Sequence, residues 1–256
     1  MEKRKKVSVL NFGCRLNQAD GALIYGRLAE IGFEPSDEKN SEKKDLFVIN
    51  TCTVTSSASQ KGRQAARRAR KNNPFAKIAV TGCDVEVNKD FWLKENAVDI
   101  VIPGSRKDLI AEFVSQDDFS YEGRADETLF REEAGALFPF RKRAFVKIQE
   151  GCDGFCAFCI VPYARGKPRS RARDEILDEI KKLVSAGRKE VVLTGVNICL
   201  YRDGKITISK LVENILSIEG DFRLRLSSTE LHPEMNPIIS IMRKNKRLCR
   251  FIHVPL

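Results

Sequence analysis

Short apolar runs and longer amphipathic stretches alternate along the first 115 residues. VSVLNF (7–12), LFVIN (46–50), KIAVTG (77–82) and VDIVIP (98–103) have the length and character of strands. Between them, Ile24, Leu28 and Ile31 recur at helical spacing within 17–31. A second helix falls on SASQKGRQAARRARKNN (57–73), and a third starts at about Ser105. Strands joined through helices pair in parallel by right-handed crossovers. The pattern predicts a small doubly wound α/β domain over residues 5–115.

Residues 116–143, with the acidic stretch QDDFSYEGRADETLFREE, carry neither period and read as a linker. Alternation resumes over 144–256, with strands at AFVKIQ (144–149), EVVLTG (190–195), FRLRLS (222–227) and CRFIHV (249–254). Helices fall near 174–186, 207–218 and 235–245. The first has Arg173 or Asp174 ahead of Ile176, Ile180, Leu183 and Val184, and Gly187 to close it. This is the start of a β/α barrel or of an open α/β sheet. A fourth strand with no helix after it would leave an unpaired edge, so the sequence reads as cut off inside this second domain.

Composition narrows the class. At 256 residues and 42% apolar, the chain can fill one large core or two medium ones. No apolar run approaches the roughly 18–20 residues that span a bilayer. The start, MEKRKKVSVLNF, faintly resembles a signal peptide, but Ser8 and Asn11 break its apolar part, and it reads as a strand behind a basic leader. The net charge of +10 is uneven: 9 Lys+Arg against 5 Asp+Glu in 51–100, 20 against 13 in 144–256, and 7 against 9 in 101–143. Two basic regions around an acidic connector suit a polyanionic partner, nucleic acid first, with general solubility as the plainer reading. Eight cysteines without an export signal point to a cytoplasmic protein using thiols for metal or redox chemistry.

The cysteines fall into two sets. Cys14, Cys52 and Cys83 each follow a predicted strand by one to three residues (NFGC, INTC, VTGC). Parallel strands bring those ends to one sheet edge, where ligand sites of such folds form. Gly13 and Gly82 would let the chain turn there. The alternative is three buried cysteines packing as small hydrophobes. Cys152, Cys156 and Cys159, spaced Cys-x3-Cys-x2-Cys, offer three thiolates from one loop. Structural zinc sites are closed by four ligands, and His232 and His253 are both remote in sequence. Three thiolates suit a four-iron cluster that leaves one iron open. Cys199 and Cys249 lack partner spacing, and Trp92 reads as core.

The segment KIQEGCDGFCAFCIVPYARGKPRSR resembles the cluster motif of radical S-adenosylmethionine (SAM) enzymes, and among them the methylthiotransferases. NFGCRLNQAD, INTCTVTSSA, VTGC and EVVLTGVN resemble the same family, and all six cysteines occur in its order. NTCTVT and VPYARG are most similar to the branch acting on N6-threonylcarbamoyladenosine at position 37 of tRNA. The isopentenyladenosine-specific and ribosomal-protein-specific branches match less well. Departures are DVEVN after Cys83, where relatives carry an Ala-Gln pair, Arg188 in place of an aromatic, and a loose match over LSSTELHPEM.

The resemblance implies an N-terminal domain over 5–115, a linker over 116–143, and the first part of a radical SAM β/α (partial TIM-like) barrel over 144–256. It implies a [4Fe-4S] cluster on Cys152, Cys156 and Cys159 whose open iron chelates SAM, so that one electron yields a 5′-deoxyadenosyl radical. It implies a second [4Fe-4S] cluster on Cys14, Cys52 and Cys83 carrying the sulfur to be inserted at adenine C2. Phe158, Gly195, Asn197 and Ser228 would contact SAM, with Ser227 beside them. A flavodoxin or ferredoxin would supply the electron, and the sulfur donor is left open. Relatives continue through the rest of the barrel and a small RNA-binding β-barrel, so 1–256 alone is expected to bind clusters, fold poorly and modify tRNA weakly or not at all.

RGKPRSRAR places Arg165, Lys167, Arg169, Arg171 and Arg173 after the cluster loop, with tRNA phosphates as the expected partner of Arg165, Arg169, Arg171 and Arg173. One or two of them would instead serve SAM or the fold. Arg63, Arg67 and Arg70 form a helical stripe that suits either RNA or plain solvation. Competing readings are methylthiolation of another target and a non-catalytic metal-binding nucleic-acid module.

Overall fold

The computed structural model describes residues 4–37, 43–116 and 142–254, so the expected linker lies almost wholly outside the described residues. The first half runs β1 (Lys5–Asn11), α1 (Arg15–Glu30), β2 (Phe33–Pro35), β3 (Leu46–Thr51), α2 (Ser56–Asn72), β4 (Lys77–Gly82), α3 (Cys83–Val87), α4 (Lys89–Leu93) and β5 (Ile100–Val101). A 3-10 helix (Gly104–Leu109) and α5 (Ile110–Ser115) follow. The second half runs β6 (Ala144–Lys147), β7 (Gln149–Glu150), α6 (Val161–Arg165), β8 (Arg169–Ser170), α7 (Arg173–Ser185) and β9 (Glu190–Thr194). It ends with β10 (Arg202–Asp203), β11 (Ile206–Thr207), α8 (Ile208–Leu216), β12 (Arg223–Leu226) and α9 (Met235–Lys244).

β1 to β5 form one parallel sheet in the order β2-β1-β3-β4-β5. β3 is central and buried at every position. Its Val48 packs with Ile24, Leu28, Ile110 and Phe113 from α1 and α5. Its Phe47 and Ile49 pack with Ala65, Ala66, Val85 and Trp92 from α2 to α4. Successive side chains of a strand point to opposite faces, so each face of the sheet carries its own apolar core, as a doubly wound fold requires. The strand order reverses between β1 and β3, the position at which such folds place ligands.

In the second half, β12-β9-β6 are parallel and in register. Ala144, Val146, Val191, Leu193, Leu224 and Leu226 pack with Ile176 and Ile180 of α7, Leu211 and Ile215 of α8, and Ile238 of α9. Three parallel strands backed by helices are the first part of a β/α barrel. The free face of β6 meets α1, so α1 lies between the two sheets.

Four local expectations change. Residues 249–254 form no ladder; isolated parallel bridges join Leu224 to Leu248 and Ser228 to His253. Between them, the Phe251 N–H donates to the Cys249 carbonyl at 2.8 Å, a tight turn that interrupts the pairing. Neither Arg173 nor Asp174 caps α7; Ala172 holds the cap position, and Asp203 accepts the Arg173 N–H at 2.8 Å. The strand expected at 98–103 shortens to Ile100–Val101. α1 stops at Glu30 and leaves Ile31 exposed.

Candidate functional site

Cys14 lies three residues beyond β1, and Cys52 and Cys83 directly follow β3 and β4. Since β1, β3 and β4 are adjacent and parallel, the three loops share one sheet edge. Gly13 and Gly82 adopt φ of +90° and +101°. A Cβ on Gly13 would fall 2.2 Å from Cys52 Sγ, and one on Gly82 would fall 2.4 Å from the Thr51 carbonyl. Both positions therefore need glycine for conformation and for close approach. Burial pushes the Cys52 thiol pKa up, and the neighbouring Cys83 and Cys14 add to it. Burial also raises Cys83, against the pull of Arg165 and Lys107.

The second triad sits on the loop after β7. The Gly154 N–H donates to Cys152 Sγ at 3.4 Å. A Cβ on Gly154 would lie 3.5 Å from Cys152 Sγ and 3.9 Å from Cys156 Sγ, so the glycine leaves open the space these sulfurs flank. Phe155 has φ of +42°, uncommon for a non-glycine residue. Its exposed ring meets Tyr163 edge-on at 5.8 Å.

All eight cysteines are free thiols. Among the described residues, no group of three or more His, Cys, Asp or Glu closes around a single metal ion. A four-iron cluster takes one thiolate per iron, which sets its ligand sulfurs farther apart than those on one ion. The donor set, soft thiolates without carboxylates, fits iron–sulfur chemistry at both triads.

A cavity of about 390 Å³ is lined by residues of both halves. Cys14 and Cys83 line one side; Ile160 and Val161, which continue the Cys152–Cys159 loop, line another; Gly195, Ser227 and Ser228 close it from the ends of β9 and β12. The Ser227 hydroxyl is buried and has no partner among the described residues, whereas Ser228 Oγ shares a hydrogen bond with His253 Nδ1 at 2.9 Å. Asn197 does not line this space. Its N–H donates to Gln149 Oε1 at 3.0 Å, and its own Oδ1 accepts the Cys199 N–H at 3.1 Å, capping a 3-10 turn. Phe158 is 93% exposed and stands outside the cavity.

Beside the cavity lies a buried charge network that the sequence does not signal. Asp20 of α1 accepts Lys107 Nζ at 2.6 Å, Lys147 Nζ at 2.7 Å and Arg165 Nη2 at 3.1 Å. Arg165 also donates to Glu150 and to Asn17, and Lys147 lies 3.3 Å from Glu150. Burial alone would raise the Glu150 pKa, but Lys147 and Arg165 outweigh it and hold it at about 2. Asp20 is likewise buried, yet Lys107, Lys147 and Arg165 keep it well below the usual carboxylate range.

These positions correct part of the tRNA expectation. Arg165 and Arg171 are interior, 6% and 2% exposed. Arg171 pairs with Glu179 at 2.6 Å and with the Lys147 carbonyl at 3.0 Å. Arg165 ends α6 and turns in toward Asn17, Asp20 and Glu150, while Arg171 follows an antiparallel ribbon of 169–170 with 149–150 that carries it into the interior. Arg169 is mostly buried beside Glu150, and Arg173 pairs with Asp174 at the surface. The α2 stripe is also spoken for: Arg67 binds Glu95, Arg70 binds Asp99, and Arg63 lies over the Phe91 ring and 3.6 Å from Asp84.

Asp84 is a second residue that pattern reasoning missed. It is fully buried and accepts Ser59 Oγ at 2.8 Å, Asn88 Nδ2 at 2.8 Å and Trp92 Nε1 at 2.9 Å. The network props α3, and with it Cys83, against α2 and α4. The departure DVEVN marked the place, though not the role.

Residues 146–256 match the Radical SAM superfamily, and residues 6–103 match a family described as Uncharacterized protein family UPF0004. Together with the fold, this defines a radical SAM protein with an appended doubly wound unit. Over nearly its whole length the chain is similar to radical SAM methylthiotransferases of tRNA. It is 35% identical to a threonylcarbamoyladenosine tRNA methylthiotransferase MtaB of Chlamydia pneumoniae, over 95% of this chain and 56% of that protein. It is 32% identical to the MtaB of Bacillus subtilis (98% and 57% covered). It is 33% identical to a tRNA-2-methylthio-N(6)-dimethylallyladenosine synthase of Thermodesulfovibrio yellowstonii (99% and 60% covered). The chain thus spans somewhat over half the length of these relatives. In fold it is similar to the radical SAM methyltransferase TsrM of Kitasatospora setae, at a TM-score of 0.66 and 14% identity, over 98% of this chain and 59% of that one.

Proposed function

We propose that this chain carries the radical SAM core of a tRNA methylthiotransferase acting on N6-threonylcarbamoyladenosine at position 37. The observation that supports it most is spatial: two cysteine triads, one from each half of the chain, have Cys14, Cys83 and the continuation of the Cys152–Cys159 loop bordering one cavity. Cys152, Cys156 and Cys159 would hold one [4Fe-4S] cluster, and Cys14, Cys52 and Cys83 a second. Such clusters supply the electron that cleaves SAM and a site for the sulfur to be transferred. The chain's own part is placement. Gly195 and the free hydroxyl of Ser227 face the cavity from the strand ends, while Leu16, Val54, Ile160 and Val161 keep its wall apolar and exclude water. Phe158, on the cluster loop, would turn onto the SAM adenine when the ligand is bound.

The division into units at 5–115 and 144–256 is part of this reading, supported by two separate parallel sheets with separate cores. The substrate assignment is supported by the names of the MtaB relatives. Dimethylallyladenosine is the second reading, supported by relatives of nearly equal identity. A cytoplasmic setting and a flavodoxin or ferredoxin donor go with either; among the described residues, no helix is long and apolar enough to cross a membrane.

Iron and labile sulfide after anaerobic reconstitution test the reading. The parent should hold about eight irons, and replacing either triad with alanine should remove about half. Nucleoside mass spectrometry on tRNA carrying each adenosine modification then separates the two substrates. Zinc in place of iron, or no loss on changing a triad, would overturn the proposal.

A further inference from the structure

Arg165 occupies an unusual position for a charged side chain. It belongs to α6, directly after the loop of the second cysteine triad, yet it lines the main cavity together with Cys14 and Cys83, the cysteines of the first triad. It also lines a small adjoining cleft with Cys83, Lys107, Glu150 and Arg169. Its side chain is 5% exposed. A guanidinium that deep needs acceptors, and the protein supplies them from Asn17 and Asp20 of α1 and Glu150 of β7. Asp20 is itself fixed by Lys107 and Lys147. The guanidinium is therefore held in a fixed orientation by groups from both halves. Burial opposes its charge, but Cys83, then Asp20 and Glu150, hold its pKa well above the ordinary value.

Resting on the reading that Cys14, Cys52 and Cys83 carry a cluster, we propose that Arg165 is the counter-charge of that centre, supplied by the opposite half of the chain. A centre bound by three thiolates gains negative charge on reduction, and a buried cation beside it stabilises the reduced form. Arg165 is thus a positioning and potential-setting residue, and it ties the electronic state of the first triad to the docking of the loop that bears the second. It neither ligates metal nor touches tRNA.

The test is potentiometric titration followed by electron paramagnetic resonance, on reconstituted protein with Cys152, Cys156 and Cys159 replaced by alanine so that the first triad alone gives a signal. In that background Arg165→Gln should move the midpoint to more negative potential, and Arg165→Lys should restore most of the shift. Asp20→Asn removes an anion from the same network and should move the midpoint the other way. Opposite signs separate an electrostatic role from a structural one, since loosening the network would move both variants together. If Asp20→Asn does not fold, the Gln and Lys variants at 165 still decide the matter. An unchanged midpoint in Arg165→Gln, or shifts of one sign in Arg165→Gln and Asp20→Asn, overturns the proposal. Absence of iron from the parent of this series would instead overturn the cluster reading beneath it, and iron analysis tells the two failures apart.

Discussion

Lys147 Nζ lies 2.7 Å from Asp20 Oδ1 inside the protein, although 127 residues separate them along the chain. Lys147 stands on the barrel sheet and Asp20 on the helix of the doubly wound half, so the pair joins the two. A buried ion pair is weak evidence of net stabilisation, but removing one member leaves the other uncompensated. Asp20→Ala should therefore cost about 3–5 kcal/mol, read as a lowered urea midpoint. A change below about 1 kcal/mol would mean that water reaches the site.

The same network sets an acid limit. Glu150 titrates at about 2 in the folded protein and near 4.3 in an unfolded chain. Because the folded value is the lower, the unfolded state binds the proton first as pH falls. The contribution is whole above about pH 5 and fades between about pH 4.3 and 2. Asp20, also held low, should add to the same loss. In Glu150→Gln this part of the stability–pH curve should flatten.

Trp92→Phe keeps the packing of a ring in its core but deletes the Nε1–H that Asp84 accepts at 2.9 Å. Leaving a buried carboxylate one donor short should cost about 1–3 kcal/mol. Trp92 is the chain's single tryptophan, so the midpoint has to be read by circular dichroism. Asp84→Asn in the Trp92→Phe background should then cost less than Asp84→Asn alone.

Phe158, at 93% exposure, contributes little to folding. Phe158→Ala should leave stability within about 0.5 kcal/mol of the parent. If the ring turns onto SAM when it binds, the same variant should weaken SAM binding measured by calorimetry on reconstituted protein. Full retention of affinity would place the adenine elsewhere.

Much of the fold was legible because apolar periodicity reports what a residue packs against. β3 and β4 were found at nearly their observed limits, since strands buried among neighbours read as unbroken apolar runs. That the loops bearing Cys14, Cys52 and Cys83 share one sheet edge followed from parallel topology alone. The charge network did not show in the sequence. Asn17 and Asp20 share the side of α1 that carries Ile24 and Leu28, but apolar periodicity says nothing about polar residues on a buried face, and α1 buries them where it also meets β6. Arg165 and Arg171 were misplaced for a related reason: a run of alternating cations looks solvated until its carboxylate partners, Asp20, Glu150 and Glu179, are brought to it by the fold. α3, α4 and α6 are each five residues long, too short to show a period.

α1 serves two masters at once, gripping its own sheet through Ile24 and Leu28 and the barrel through Asp20. A helix turns by about 100° per residue, so deleting a single residue between positions 20 and 24 would throw one grip out of phase with the other. The length of that short stretch works as a timing gear: it sets the rotation of one half of the chain against the other.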